Sequence, residues 1–574
     1  MIMNRSLLLL LVWMAIAVGL RSWNLAVKPP WTDEFATLVF SLGRSFEAVP
    51  GAQWLTVDPL LALLRPLPHA DPQGVIDQIL ARDNHPPLYF VLAHLWYRLF
   101  PHDGDYLAVA VGRSLPVLFG VLSVPVGYGC VKWVWGQQQD RLALSVAMAM
   151  AVSPYGVFIS QEARHYTLAM LWGILSLACC LKGAQYWQRG RPLPAYLSGA
   201  WVGVNALGVS THFLLTLLLV AQGLGLMAWG WDLRRRETGT RCPGVKPFLP
   251  VILGTIAVLG VWGGVIYWQG FGNGMTQWIQ FDQMSWLSYV LSPPLQLVAA
   301  WATMVCLLPV ESSQLVIVFV SGVGMLVYFC WLVPVLSQGW ARGDATGCAL
   351  ETNLLIKIFA CLVGIYLAIT YGAGLDITRG ARYSFNFWPV VMFLVGIGLA
   401  GQTGNAAAMP RILAPQGRRL LHGRGLPAIF LLMGIVSGLT ITFNLGYQKY
   451  YRPDHFLTLL SQTQGVGLQV IVSPHQSLVQ TGEVLGIALE AQRHFPELVP
   501  QLRFLLLPAS HNRDPVLIEQ LQQHLATLSD PFDLWVLNYP PAIALDRCQK
   551  DQSPPLTIYG YSYQHFTCAS APVR

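Results

Sequence analysis

Two adjacent carboxylates, Asp33 and Glu34, stand in Trp31-Thr32-Asp33-Glu34, directly after the first apolar run, Leu7 to Ala26. A run of about twenty residues crosses the roughly 30 Å hydrocarbon core of a bilayer, so the pair emerges at the far membrane face. Ionisable groups held there are functional candidates. An unprotonated carboxylate at that surface can act as a general base toward an acceptor hydroxyl. It can equally hold a divalent cation through its oxygens, and the residue types leave both roles open.

Five further groups could do chemistry. His85, in Asp83-Asn84-His85-Pro86-Pro87, precedes a short helix expected at Leu88–Phe100. Asn84 or Asp83 can cap that helix and proline suits its first turn, whereas His85 can bind a phosphate, a metal or a carbonyl. Arg113, in Gly112-Arg113-Ser114-Leu115-Pro116, lies just inside a span. A guanidinium there snorkels to the interface or pairs with a carboxylate or lipid phosphate. Gln161-Glu162-Ala163-Arg164-His165-Tyr166 is the densest polar cluster between two spans. On a helix, positions 162 and 166 share one face and 161 and 165 another. Thr211-His212 is weaker, because a single histidine between spans is commonly a satisfied structural group. Finally, Asp376, Arg379, Arg382 and Tyr383 open a loop ahead of a span that contains Pro389.

The elements that must position these groups are membrane helices. Hydrophobic residues make up 54% of the 574 and charged ones 11%, which excludes an ordinary soluble chain. Spans are expected near 7–27, 107–131, 142–159, 167–187, 195–210, 213–231, 248–269, 314–336, 354–371, 386–401 and 427–446, about eleven in all. Pro87 to Phe100 is too short to cross. Trp286 to Leu308 carries Pro293-Pro294, which should split it into two short halves. The N-terminal run is read as a first span and not as a signal peptide, since no small-x-small cleavage site precedes Trp31.

Charge arbitrates topology. The formal charge is +7, with basic residues between apolar runs, as in Arg234-Arg235-Arg236 and in Arg411, Arg418, Arg419 and Arg424. That is cytoplasmic loop charge, not a nucleic-acid footprint. With Arg5 inside and both doubtful segments along the outer interface, those linkers fall inside. The same parity puts Asp33-Glu34, Gln161–Tyr166, Thr211-His212 and Asp376–Tyr383 outside. Basic residues at 379 and 382 then run against the positive-inside trend, and an anionic partner such as a lipid phosphate explains them.

From about Lys449 the character changes. Leu468–Ser473, Arg503–Leu507 and Asp533–Asn538 read as buried strands, with amphipathic helices at Glu483–Phe495 and Pro515–Leu528 between them. The expected organisation is a transmembrane domain, 1–447, whose first outer loop, 28–106, carries interfacial helices. A small extracytoplasmic α/β domain follows at 448–574. The ten cysteines show no metal spacing, and Cys548 and Cys568 can form a disulfide if that region meets an oxidising compartment. No internal repeat is evident.

Four of these elements, in order, resemble the GT-C class of polyprenyl-phosphate-dependent glycosyltransferases, which includes protein O-mannosyltransferases and bacterial lipid A aminoarabinose transferases. They are Trp31-Thr32-Asp33-Glu34, His85-Pro86-Pro87-Leu88-Tyr89, Arg113 with Pro116 and Gly120, and Ser160 to Tyr166; Arg382-Tyr383 is a less specific fifth. The match spans residues 31–166. Beyond residue 215 it is general architecture, and the C-terminal domain carries no family-specific motif. The resemblance implies a polytopic helical scaffold with a cavity opening to the outer face; with no retention or organelle signal, the plasma (inner) membrane is the simplest setting for the eleven or so spans. It makes Asp33 the catalytic aspartate, with Glu34 in support and Glu162 as a second acid. Arg113, Arg382, His85 and Tyr383 would hold the donor phosphate, supported by Gln161, Arg164, Tyr166 and His212. The reaction implied is attack of an acceptor hydroxyl on the anomeric carbon of one polyprenyl-phosphate-linked sugar, with inversion. A divalent metal is left open, with Asp33, Glu162 and His85 as its ligands if one binds.

Composition and spacing agree with a lipid donor: no P-loop-type glycine loop for a nucleotide is present. Two other classes stand beside this reading. A flippase or transporter of lipid-linked sugars would place polar residues deep within several spans. A non-enzymatic assembly or sensor protein would bind a cell-surface polymer through its C-terminal domain. The acceptor, whether protein, lipid or glycan, is not specified by the sequence.

Overall fold

The computed structural model describes residues 5–100, 106–236, 246–269, 279–281, 285–342, 347–402, 425–463, 467–511, 513–552 and 558–570. The chain divides into two compact units. One comprises Met1–Leu25, Ile79–Tyr89 and Arg113–Tyr447; the other comprises Ala26–Gln78, Phe90–Gly112 and Gln448–Arg574.

The first unit is helical. Among the described residues, nine helices are long and apolar enough to cross a membrane, from Arg5–Ser22 to Gly425–Thr442. The span expected at 142–159 is instead a pair, Asp140–Val152 and Pro154–Ser160, bent by 54° at Ser153. The one expected at 195–210 is the 15-residue helix Ala195–Val209, about 22 Å long. All eleven expected segments are therefore helical, two of them bent or short. The basic cluster Arg411, Arg418, Arg419 and Arg424 lies outside the described residues.

Burial sorts the helices. Tyr166–Gln188 is apolar on every side and buried along most of its length, as a central helix must be. Leu315–Ala341 instead exposes Leu315, Val316, Phe319 and Val320, a surface suited to lipid.

One expectation fails. Trp286–Val305 is a continuous 20-residue helix that keeps Pro293 and Pro294 inside it. Proline removes an N–H and so frees the carbonyl four residues earlier. Pro294 frees Val290, whose carbonyl accepts the Tyr371 hydroxyl at 2.7 Å. A neighbouring helix thus supplies the donor that the sequence lacks.

The second unit is built on a six-stranded sheet: β1 (Trp54–Leu55), β2 (Leu468–His475), β3 (Leu502–Pro508), β4 (Phe532–Leu537), β5 (Cys548–Lys550) and β6 (Tyr563–Cys568), in the order β1-β3-β2-β4-β6-β5. The central β3-β2-β4 ladder is parallel and the outer strands are antiparallel. β2 and β4 are buried on both faces, which is why their middles, Val470–Val472 and Leu534–Leu537, read as apolar runs. The helix Leu478–His494 starts in a capping box, Ser477 with Gln480. Cys548 and Cys568 are joined by a disulfide that ties β5 to β6.

His565 on β6 lies between two carboxylates, with Nε2 3.1 Å from Asp533 and Nδ1 3.2 Å from Asp551. Burial lowers its pKa, but hydrogen bonds and charge from both aspartates outweigh burial and raise it above the usual value. The resulting stability is fully present below the unfolded value of about 6.5 and is lost as pH rises through the raised folded value. Hydrogen exchange of residues 532–537 and 563–568 in the full-length protein should therefore quicken as pH climbs above about 6.5, after correction for intrinsic rates. His565→Gln should flatten that trend; an unchanged trend would remove His565 as its source.

Candidate active site

In the first unit the polar residues centre on a turn. Pro154–Ser160 ends at Gln161, and Tyr166–Gln188 begins five residues later. Residues 161–165 are not helical: the Arg164 N–H donates to the Glu162 carbonyl at 2.7 Å and closes a tight turn. The facing of 162 with 166 and of 161 with 165 that helical spacing predicts does not form. Glu162, Arg164, His165 and Gln161 are all buried in this turn.

Three imidazoles pack together there, their planes tilted against one another. The His165 ring centroid is 4.9 Å from that of His85 and 4.4 Å from that of His212. Arg164 Nη2 lies 3.2 Å from His85 Nε2, and His85 Nδ1 lies 2.5 Å from Asp83. A guanidinium only donates, so Nε2 accepts and Nδ1 carries the proton it gives to Asp83. Burial raises the Asp83 pKa, but His85 and then Arg164 outweigh it and hold the carboxyl below the usual range. Tyr166 completes the wall, with its ring 5.3 Å from His212 and the Arg164 guanidinium 5.9 Å from its centroid.

Electrostatics makes this cluster basic yet keeps two rings neutral. Burial, then His212, Arg164, His85 and Arg382, pushes the His165 pKa well below its usual value. Burial, then His85, Arg164 and Arg382, does the same to His212. Both rings are therefore uncharged near neutral pH, with two guanidiniums acting on them. His212 Nδ1 accepts the Leu214 N–H at 3.2 Å, so its proton is on Nε2. That buried Nε2 has no hydrogen-bond partner among the described residues.

Arg382 and Tyr383 occupy the 3-10 turn Ala381–Asn386. The turn is held by the Tyr155 hydroxyl, which donates to the Arg382 carbonyl at 3.0 Å, and by the Tyr366 hydroxyl on the Tyr383 carbonyl at 2.6 Å. The Arg382 guanidinium lies 4.9 Å from the Tyr383 ring centroid. Arg113 is buried and Nη1 donates to the Leu25 carbonyl at 2.8 Å.

In the second unit Asp33 and Glu34 occupy the first turn of the helix Thr32–Ser41. The unpaired N–H groups of a helix start favour negative charge at that place. Glu34 is fully buried and pairs with Lys449 at 3.2 Å, while Asp33 is half-buried. Lys449 also lies over the Trp31 ring, 5.6 Å from its centroid. The helix Leu478–His494 seats this turn through Gly482, where a Cβ would come within 3.2 Å of the Thr32 methyl.

The structure thus gathers His85, Arg164, Tyr166, His212 and, through its charge, Arg382 in one unit, and places Asp33 and Glu34 in the other. Three participants escape the sequence reading: Asp83 as the partner of His85, His165 as the middle ring, and Lys449. Asp83 and His85 are two residues apart and both precede the short helix, a usable signal. Lys449 is 415 positions from Glu34, and nothing local announces that pair. Among the described residues, no group of three or more His, Cys, Asp or Glu side chains gathers to hold a metal ion. Both nitrogens of His85 are engaged by Asp83 and Arg164.

No protein-family model and no curated protein matches the chain. Solved structures do. The chain is similar to ArnT from Cupriavidus metallidurans bound to undecaprenyl phosphate, at 11% identity over 98% of this chain and 97% of that one, with a TM-score of 0.46. ArnT in the apo state matches at 14% identity over 92% of each chain, with a TM-score of 0.48. The oligosaccharyltransferase of Archaeoglobus fulgidus in the apo form matches at 11% identity over 85% of this chain and 64% of that one, with a TM-score of 0.38.

Proposed function

We propose that this protein is a membrane glycosyltransferase of the GT-C type. It moves one sugar from a polyprenyl phosphate to an acceptor hydroxyl outside the plasma (inner) membrane, with inversion. The observation that carries the proposal is the basic cluster in which two guanidiniums, Arg164 and Arg382, act on neutral rings. Within it, His212 presents a buried Nε2–H with no protein acceptor among the described residues. A phosphate at headgroup level supplies what such a cluster lacks: negative charge and acceptor oxygens.

In the reaction, the acceptor oxygen bonds to the anomeric carbon while its proton passes to the Asp33 carboxylate. The bond from that carbon to the phosphate oxygen breaks, and polyprenyl phosphate leaves as an anion. Fixed guanidiniums stabilise the charge that develops on the leaving group. Glu162, in the same turn as Arg164, is the second acid, with Arg113 and Tyr383 on the donor side. The disulfide Cys548–Cys568 supports an extracytoplasmic C-terminal region, since such bonds persist in oxidising compartments.

The test is donor-product affinity. Arg382→Met should weaken binding of polyprenyl phosphate to the detergent-solubilised protein on the order of 10–100-fold, the loss of a charged hydrogen bond. Equal affinity in both proteins would contradict the assignment of this cluster to the donor phosphate.

A further inference from the structure

Arg21 is a guanidinium buried inside the first apolar run, a place where an ionisable group calls for an explanation. Its Nη2 donates to the Met150 carbonyl at 2.8 Å and its Nη1 to the Ala151 carbonyl at 2.7 Å. These carbonyls end the helix Asp140–Val152 at the 54° break. Pro154 has no N–H, so the carbonyl four residues before it, Met150, loses its helical donor. Arg21 replaces that donor, and its positive charge meets the negative end of the helix.

The contact is reciprocal. Gln161 Nε2 donates to the Trp23 carbonyl at 3.1 Å and to those of Leu20 and Arg21 at 3.4 Å, at the end of the Arg5–Ser22 helix. The first helix thus caps the broken span, and the turn after the break caps the first helix. Gly120 and Gly156 leave room for the guanidinium: a Cβ on either would lie 3.1 Å from one of its nitrogens. Between the two caps, Ser153 Oγ receives the Gly156 N–H and the Trp388 indole N–H, and donates to the Met304 carbonyl.

We propose that Arg21 is a positioning residue for the Gln161–Tyr166 turn: by closing the hydrogen bonds left open where the helix breaks at Ser153-Pro154, it fixes where Glu162, Arg164 and His165 stand. The catalytic part of this inference rests on the transferase reading above. Displacement of that turn by a fraction of an ångström should lower turnover more than donor binding, because oriented charge acts chiefly on the transition state.

The experiment compares wild type, Arg21→Met, Arg21→Lys and Gln161→Leu as full-length protein. Hydrogen exchange of residues 150–166 and steady-state donor kinetics are both measured. Arg21→Met and Gln161→Leu should each speed exchange in that segment and not in the other spans. In both, kcat should fall about tenfold or more while donor KM stays within about threefold. Arg21→Lys, which can still donate to both carbonyls, should recover part of both effects. Unchanged exchange in a folded Arg21→Met protein, or faster exchange spread evenly over all spans, overturns the proposal. If wild type cleaves no polyprenyl-phosphate donor, the transferase reading fails, and the exchange data still decide whether Arg21 positions the turn.

Discussion

Asp33→Asn is expected to lower sugar transfer by about 10²–10⁴-fold while leaving expression, membrane insertion and melting temperature near wild type. Asn matches Asp in size and keeps a polar group in the first turn of the Thr32–Ser41 helix, so the helix start should survive. What is lost, on the proposed mechanism, is the base. Of the two adjacent acids, Glu34 is fully buried and bound to Lys449, whereas Asp33 is half-buried at the start of a helix that favours its anion. That division is what the proposed mechanism needs, with Glu34 held in place and Asp33 as the base. Transfer assays with saturating donor, together with thermal unfolding, check it; a variant that transfers at the wild-type rate would take Asp33 out of the mechanism.

The second large effect concerns stability. Lys449→Met should destabilise the second unit by about 3–5 kcal/mol, because it leaves the Glu34 carboxylate buried without its cation. Replacing both partners, Lys449→Met with Glu34→Gln, should recover most of that loss, since the buried charge disappears with the acid. The single variant should also lose transfer activity, because the turn that carries Asp33 is anchored through this pair. Unfolding of the full-length proteins, read by exchange of residues 31–42, separates the cases. Equal stability of wild type and the single variant would show that the pair carries no weight.

Much of this organisation is legible in the sequence, because membrane spans are long, apolar and nearly uncharged. The eleven helical segments and the three central strands announce themselves through composition and periodicity. What resists reading is the work of partners distant in the chain. Pro293-Pro294 reads as a break, yet the Tyr371 hydroxyl satisfies the carbonyl that Pro294 frees. Ser153-Pro154 does bend its span, and the donor there is Arg21, some 130 residues away. β1, in the first outer loop, pairs with β3 over 440 positions later, a ladder no local pattern specifies. The polar turn at 161–166 stands out by composition, but its spacing suggests a helical face that the backbone does not form. His165 is recognisable as the centre of a three-ring cluster only when residues 85 and 212 are seen beside it.

The central claim, cleavage of a lipid-linked sugar, is tested most directly in proteoliposomes holding the wild-type protein, a radiolabelled polyprenyl-phosphate sugar and a cell-envelope acceptor extract. The account predicts free polyprenyl phosphate in step with label on the acceptor, with both abolished by Asp33→Asn. Intact donor crossing the bilayer without cleavage, and indifferent to Asp33, would contradict it and make the protein a transporter.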